Sequence, residues 1–135
     1  MRGILADINV IGHVQVLLEI LEGNYWGELW KELDLTIHTF DEIGLSPDVP
    51  DSLLWRRCQD LNIVLITTNR NAEGPESLEM TIRRENGPSS LPVLTSADNE
   101  RVATDREYAV LTAEVLIDYL IRIDTLHGTG RLFLP

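Results

Sequence analysis

The feature that most constrains this chain is an apolar run that stops abruptly in polar residues, IVLITTNRN from Ile63 to Asn71. Its length and its β-branched composition predict a buried strand, of the kind found in parallel sheets. Asn69, Arg70 and Asn71 come at the carboxyl end of the run. Sites in parallel α/β sheets are built at the carboxyl ends of strands, so this stretch indicates both a fold class and the place of a site.

Two earlier segments have the same design. The apolar run GILAD, from Gly3 to Asp7, delivers one carboxylate at its end. The alternating segment LTIHTF, Leu35 to Phe40, is followed directly by Asp41 and Glu42. If the three strands are neighbours in a parallel sheet, their polar ends converge on one spot.

Helical segments alternate with these strands and predict a three-layer α/β/α fold with a mainly parallel sheet of four to five strands. A fourth strand is predicted at LPVLT, and RLFLP at the end is either an added edge strand or a tail that docks on a partner. At 135 residues the chain fits a single domain, 1–135. Helices are predicted over 10–23, 25–33, 51–61, 76–85 and 106–126, and a shorter helical segment over 97–107.

Composition limits the classes of function. The chain has 22 acidic and 11 basic residues, a formal net charge of −11, which argues against a broad electrostatic surface for nucleic acid. A metal ion bound to carboxylates would reverse that sign locally, so a nucleic-acid substrate is disfavoured without being excluded. The single cysteine, Cys58, lies in a helical pattern and is interpreted as a structural thiol. With no signal-like segment and no apolar stretch of membrane-spanning length, a cytoplasmic protein without membrane contact is expected.

The last long helix, 106–126, is apolar around most of its circumference. Such a helix must be covered on several sides, by the sheet and by a second subunit. A homodimer through this helix is therefore expected.

Carboxylates gathered at strand ends predict a site for Mg²⁺ or Mn²⁺, which prefer oxygen ligands. The acidic candidates are Asp7, Asp51 and one of Asp41 or Glu42. Asp51 is equally explained as a carboxylate in the first turn of a helix, and Asp98 is more simply an N-cap than a further site residue. No Walker loop, dinucleotide-binding fingerprint or zinc pattern is present.

The order LADIN, then FDEIGLSPDVPDSLLWRRCQDLNIVLITTNRN, resembles the compact branch of the PIN-like domains, the superfamily that includes the toxin ribonucleases of toxin–antitoxin pairs. The resemblance covers Ile4 to Asn71, about half the chain. Residues 72–135, with a further helix, a fourth strand and the long final helix, depart from the short ending that the family predicts.

The resemblance implies that Asp7 is the first metal ligand and Asp51 the second acidic residue of the site. Asn69 and Asn71 stand in the places of paired aspartates, and Thr67 matches the threonine before them. An amide oxygen such as that of Asn69 can still ligate a cation. Two negative charges are nevertheless missing, so Mg²⁺ or Mn²⁺ is expected to bind more weakly than in the family.

Two functions follow from the resemblance. The first is a metal-dependent endoribonuclease acting on single-stranded RNA, in which Asn69 positions water or phosphate and Arg70 and Thr67 contact the substrate. An antitoxin-like protein would be a partner. The alternative is a catalytically inactive PIN-like fold that acts as a protein-binding or dimerisation module. A different α/β enzyme that processes a small molecule or phosphate is a third hypothesis, because the fold alone does not decide function.

Overall fold

A computed structural model describes all residues, Met1–Pro135. Five strands form one sheet in the order β2-β1-β3-β4-β5, and every neighbouring pair is parallel. The strands are β1 (Gly3–Ala6), β2 (Thr36–His38), β3 (Ile63–Thr67), β4 (Val93–Ser96) and β5 (Arg131–Leu134). The helices are α1 (Ile11–Leu21), α2 (Gly27–Leu33), α3 (Asp51–Leu61), α4 (Leu78–Glu85), α5 (Asn99–Thr104) and α6 (Arg106–Ile121), with short 3₁₀ turns at Ile8–Val10 and Ile123–Thr125.

The central strands are buried on both faces. All five residues of β3 are buried, which explains why its sequence is a continuous apolar run without alternation. Successive side chains of β3 point to opposite faces, so Val64 and Ile66 join one core and Leu65 joins the other. The prediction of a buried, parallel strand at this position is confirmed.

Helices cover each face of the sheet. The larger core lies between the sheet and α1, α5 and α6, and the smaller one lies under α3 and α4. Trp26 and Trp30 of the α2 region pack against the larger core. The predicted three-layer α/β/α architecture is therefore confirmed.

The two edges of the sheet differ from the centre. β2 is only three residues long and partly exposed, shorter than the segment Leu35–Phe40 that the sequence suggested. The final segment RLFLP is an edge strand, β5, paired in parallel with β4. Tyr119 of α6 donates a hydrogen bond to the carbonyl of Phe133 at 2.9 Å and so joins the last helix to this edge.

The final helix is shorter than predicted, because α6 ends at Ile121 and the chain continues as a 3₁₀ turn. Its inner face is buried against α1, α5 and the sheet, while Leu111 and Ile121 stay about half exposed, at 49% and 46%. Dimerisation through this helix stays a prediction. None of the helices combines the length and apolar character needed to span a bilayer.

Candidate functional site

The site lies where the chain changes direction at the sheet. β1 and β3 are neighbours, but the chain leaves β1 toward α1 on one face and leaves β3 toward α4 on the other. Parallel sheets bind ligands at such switch points, outside the carboxyl ends of the strands. A cleft of about 370 Å³ opens there, lined by Asp7, Asp51 and Asn69 on its polar side and by Phe40, Val49 and Leu54 on its apolar side.

Asp7 follows β1 directly, and its amide N–H donates to the carbonyl of Ile66 at 2.8 Å, which extends the β1–β3 ladder. Its carboxylate is held by two neutral donors. Oδ1 accepts from the amide of Ile8 at 2.8 Å, and Oδ2 accepts from the Thr67 hydroxyl at 2.7 Å. Each oxygen keeps a free lone pair, so the half-buried carboxylate is fixed in orientation and still able to accept a further partner.

Asp51 reaches the same cleft from the other side. It is the first residue of α3, after the N-cap Pro50, and a carboxylate in a first turn interacts favourably with the helix dipole. Its Oδ2 also accepts from the Asn69 side-chain amide at 2.9 Å. Asp51 therefore has both roles: it is the acidic residue in the first turn of α3, and it lines the cleft.

Asn69 links the strand end to α3. Its Nδ2 donates to Asp51, and its Oδ1 accepts from the backbone amide of Asn71 at 2.8 Å. The opposite orientation would set the amide oxygen against a carboxylate and the NH₂ group against an N–H, so the neighbours determine the orientation. In this arrangement Asn69 offers Asp51 a hydrogen-bond donor, and its oxygen is used within its own loop.

The same contacts end the strand. The Thr67 hydroxyl accepts from the Asn69 amide at 3.0 Å, and Asn71 Oδ1 accepts from the amide of Glu73 at 3.0 Å. Such local bonds between side chains and backbone compete with a sheet ladder. β3 therefore stops at Thr67, and Asn71 is exposed outside the cleft lining.

Arg70, predicted to contact substrate, is exposed on the same loop. Its guanidinium lies over the ring of Phe133, 5.1 Å from the ring centroid, at the carboxyl end of β5. Arg70 forms no ion pair in this arrangement. It lies toward β5, outside the lining of the cleft.

The three additional acidic candidates lie elsewhere. Asp41 and Glu42 are exposed in the turn after β2, and Glu42 borders a different cavity beside that strand. Asp98 is the N-cap of α5, where its Oδ1 accepts from the amide of Arg101 at 3.1 Å. The N-cap interpretation of Asp98 agrees with this contact, and none of the three lines the cleft.

One residue of the site region was not identified from the sequence. Arg131 of β5 has only 9% of its side chain exposed. Its Nη1 donates to the carbonyl of Asn69 at 2.8 Å and to the Thr95 hydroxyl at 2.6 Å, and its Nε donates to Glu79 of α4 at 3.1 Å. It therefore anchors the loop after β3 to the neighbouring strands and to α4. Its position at the start of RLFLP carries no pattern that would reveal this role.

The cysteine is excluded as a nucleophile. Cys58 is buried in the smaller core, and burial, together with the negative charge of Asp7, raises the pKa of its thiol to about 12. Because the thiolate is the reactive form, this thiol is inert at neutral pH. The interpretation of Cys58 as a structural residue is confirmed.

The cleft presents two carboxylates as oxygen ligands for a hydrated hard cation. Mg²⁺ is usually held by one or two carboxylates and completes its shell with water and substrate phosphate. Asp7 and Asp51 supply that minimum, and the chain has no cluster of three or more His, Cys, Asp or Glu side chains arranged for a metal. The protein would supply only two negative charges, those of Asp7 and Asp51, to a cation bound here.

At the level of fold, the chain is a compact α/β protein with an all-parallel sheet, which is compatible with a PIN-like domain. The cleft brings together the ends of β1 and β3 and the start of α3. No family model, curated protein or solved structure matches the chain.

Proposed function

We propose that the chain is a PIN-like domain whose Asp7–Asp51 cleft holds Mg²⁺ or Mn²⁺ and cleaves single-stranded RNA. One observation carries the proposal: two carboxylates from distant parts of the sequence line one polar cleft at the switch point of a parallel sheet. A bound cation would activate water and neutralise charge on a phosphodiester.

The residues around the cleft have distinct roles in this proposal. Asp7 and Asp51 hold the cation, and Thr67 fixes the orientation of Asp7 through its 2.7 Å hydrogen bond. Asn69 positions Asp51, to which it donates at 2.9 Å. Arg70 contacts an RNA phosphate, since its guanidinium is exposed and free of carboxylates.

The two asparagines set the strength of the site. With amides at 69 and 71, two carboxylates, Asp7 and Asp51, remain where the family pattern would give four. Fewer negative charges weaken the hold on a divalent cation and also repel the RNA backbone less. The proposal therefore entails weak metal binding and a requirement for millimolar Mn²⁺ or Mg²⁺.

Cleavage of a fluorescently labelled single-stranded RNA tests the proposal. We expect Mn²⁺-dependent cleavage by the wild-type protein and a loss of about a hundredfold or more in Asp7→Asn, because even partners of metal ligands change activity by roughly 10- to 100-fold. Asp124→Asn, which removes an exposed acid of the 3₁₀ turn after α6, is the matched control and is expected to retain full activity. Absence of cleavage by the wild type, or equal cleavage by Asp7→Asn, contradicts the proposal.

A second candidate is a PIN-like fold that has lost catalysis and works as a protein-binding or dimerisation module. The observation that favours it is the contact of Asn69 Nδ2 with Asp51 Oδ2, which gives that carboxylate a hydrogen-bond donor without any metal. The half-exposed Leu111 and Ile121 on α6 supply an apolar surface for a partner. The two candidates predict opposite results in the cleavage assay.

A further inference from the structure

A second cavity of about 370 Å³ lies beside β2 and shares no lining residue with the Asp7–Asp51 cleft. Its charged and titratable residues are Arg2, His38, Arg57 and Glu42. Ile43, Leu61 and Ile63 supply apolar walls.

The two arginines of this cavity are among the five basic residues of the chain that form no ion pair. Acidic residues outnumber basic ones by 22 to 11, and six arginines form ion pairs. Arg2 and Arg57 form none. Arg57 donates through Nε to the carbonyl of Ile43 at 3.0 Å, which leaves its terminal NH₂ groups without a protein acceptor. Glu42 is the one carboxylate in the lining and is not ion-paired with either arginine.

His38 adds unused hydrogen-bonding capacity. Its ring lies over Gly3, where a Cβ would come within 2.7 Å of Nε2, so the ring packs in space that only a glycine leaves open. Nε2 is buried and has no hydrogen-bond partner. Unpaired buried polar groups are rare in native proteins and point to a bound water, ion or ligand.

We propose that this cavity binds a phosphoryl group. Two guanidinium groups without carboxylate partners and an imidazole match the charge and the several acceptor oxygens of a phosphate. The volume lies within the range of small-molecule sites, and the apolar walls leave room for an organic substituent. This site is independent of the Asp7–Asp51 cleft and of its metal.

Calorimetric titration with inorganic phosphate and with phenyl phosphate tests the proposal, in EDTA so that no metal contributes. We expect saturable binding that weakens about tenfold in Arg2→Gln and in Arg57→Gln, the loss expected for one charged hydrogen bond. Lys31→Gln is the matched control, because it removes the same charge from an exposed cation of α2 outside the cavity. It is expected to bind phosphate as the wild type does.

Arg57→Gln removes the hydrogen bond to the Ile43 carbonyl and so can disturb that turn. Arg2→Gln does not have this effect, because the strand contacts of Arg2 are made by its backbone. Tighter binding of phenyl phosphate assigns the site to an organic phosphate, and equal binding assigns it to free phosphate. No saturable binding of either probe, or equal weakening in Lys31→Gln, overturns the proposal. Changes in the NMR chemical shifts of the His38 ring on phosphate addition provide a second readout. Unchanged shifts would also overturn the proposal.

Discussion

Asn69→Asp is expected to bind Mn²⁺ about tenfold or more tightly than the wild type, because a third carboxylate joins Asp7 and Asp51. One oxygen of the new side chain can still accept from the Asn71 amide, as Asn69 Oδ1 does at 2.8 Å. The other replaces the NH₂ group that lies 2.9 Å from Asp51 Oδ2. Calorimetric titration of Mn²⁺ into both proteins measures the change.

Without metal, the same variant is expected to lose about 1–3 kcal/mol in free energy of unfolding, since a hydrogen bond becomes a contact between like charges. Asn24→Asp, an exposed site with the same charge change, is the control. Unchanged Mn²⁺ affinity in Asn69→Asp would show that residue 69 does not face the cation.

Arg131→Met is expected to lower the free energy of unfolding by about 3 kcal/mol, because it leaves the carbonyl of Asn69, the Thr95 hydroxyl and Glu79 without their shared donor. Only 9% of the Arg131 side chain is exposed, so water does not replace these contacts freely. Urea denaturation monitored by tryptophan fluorescence measures the loss.

Arg122→Met is the matched control for this experiment. Arg122 pairs with Asp118 one helical turn away, at 2.7 Å, but both side chains are half exposed, and such surface pairs contribute little. We expect a much smaller change in stability than for Arg131→Met. Equal effects of the two substitutions would refute the role of Arg131 as the anchor of the loop after β3.

The fold could be predicted because its strongest signals are local. The apolar run at 63–67 and the carboxylate after GILA marked β3 and the end of β1, and α3 begins and ends where Pro50 and the helical pattern placed it. Parallel pairing then brings Asp7 next to Thr67, in a contact of 2.7 Å between residues 60 positions apart. The convergence of the carboxyl ends of β1 and β3 could be predicted from two apolar runs that each end in polar residues.

The acidic residues after β2, Asp41 and Glu42, do not reach the cleft, and the reason could not be read from the sequence. Phe40 and Ile43 are buried in the smaller core, and the turn closes through a hydrogen bond from the Leu45 amide to the Phe40 carbonyl at 2.9 Å. Burial of these two apolar residues leaves Asp41 and Glu42 exposed to solvent. Adjacent acidic residues after a strand do not reveal which way the following turn bends.

Two features of the site depend on contacts between distant parts of the chain. The sequence suggested Asn69 as an oxygen ligand, whereas its amide orientation is set by Asp51 and the Asn71 amide together. Arg131 reaches the Asn69 carbonyl across 62 positions of sequence. Neither contact leaves a local sequence pattern, so neither could be predicted before the strand order was known.

Calorimetric titration of Mn²⁺ into the wild type and Asp7→Asn decides whether Asp7 and Asp51 form a divalent-cation site. The expected result is saturable binding at millimolar concentration in the wild type that disappears in Asp7→Asn, with Asp124→Asn behaving as the wild type. Absence of binding to the wild type, or binding that persists in Asp7→Asn, would show that these two carboxylates hold no cation and would favour the non-catalytic candidate.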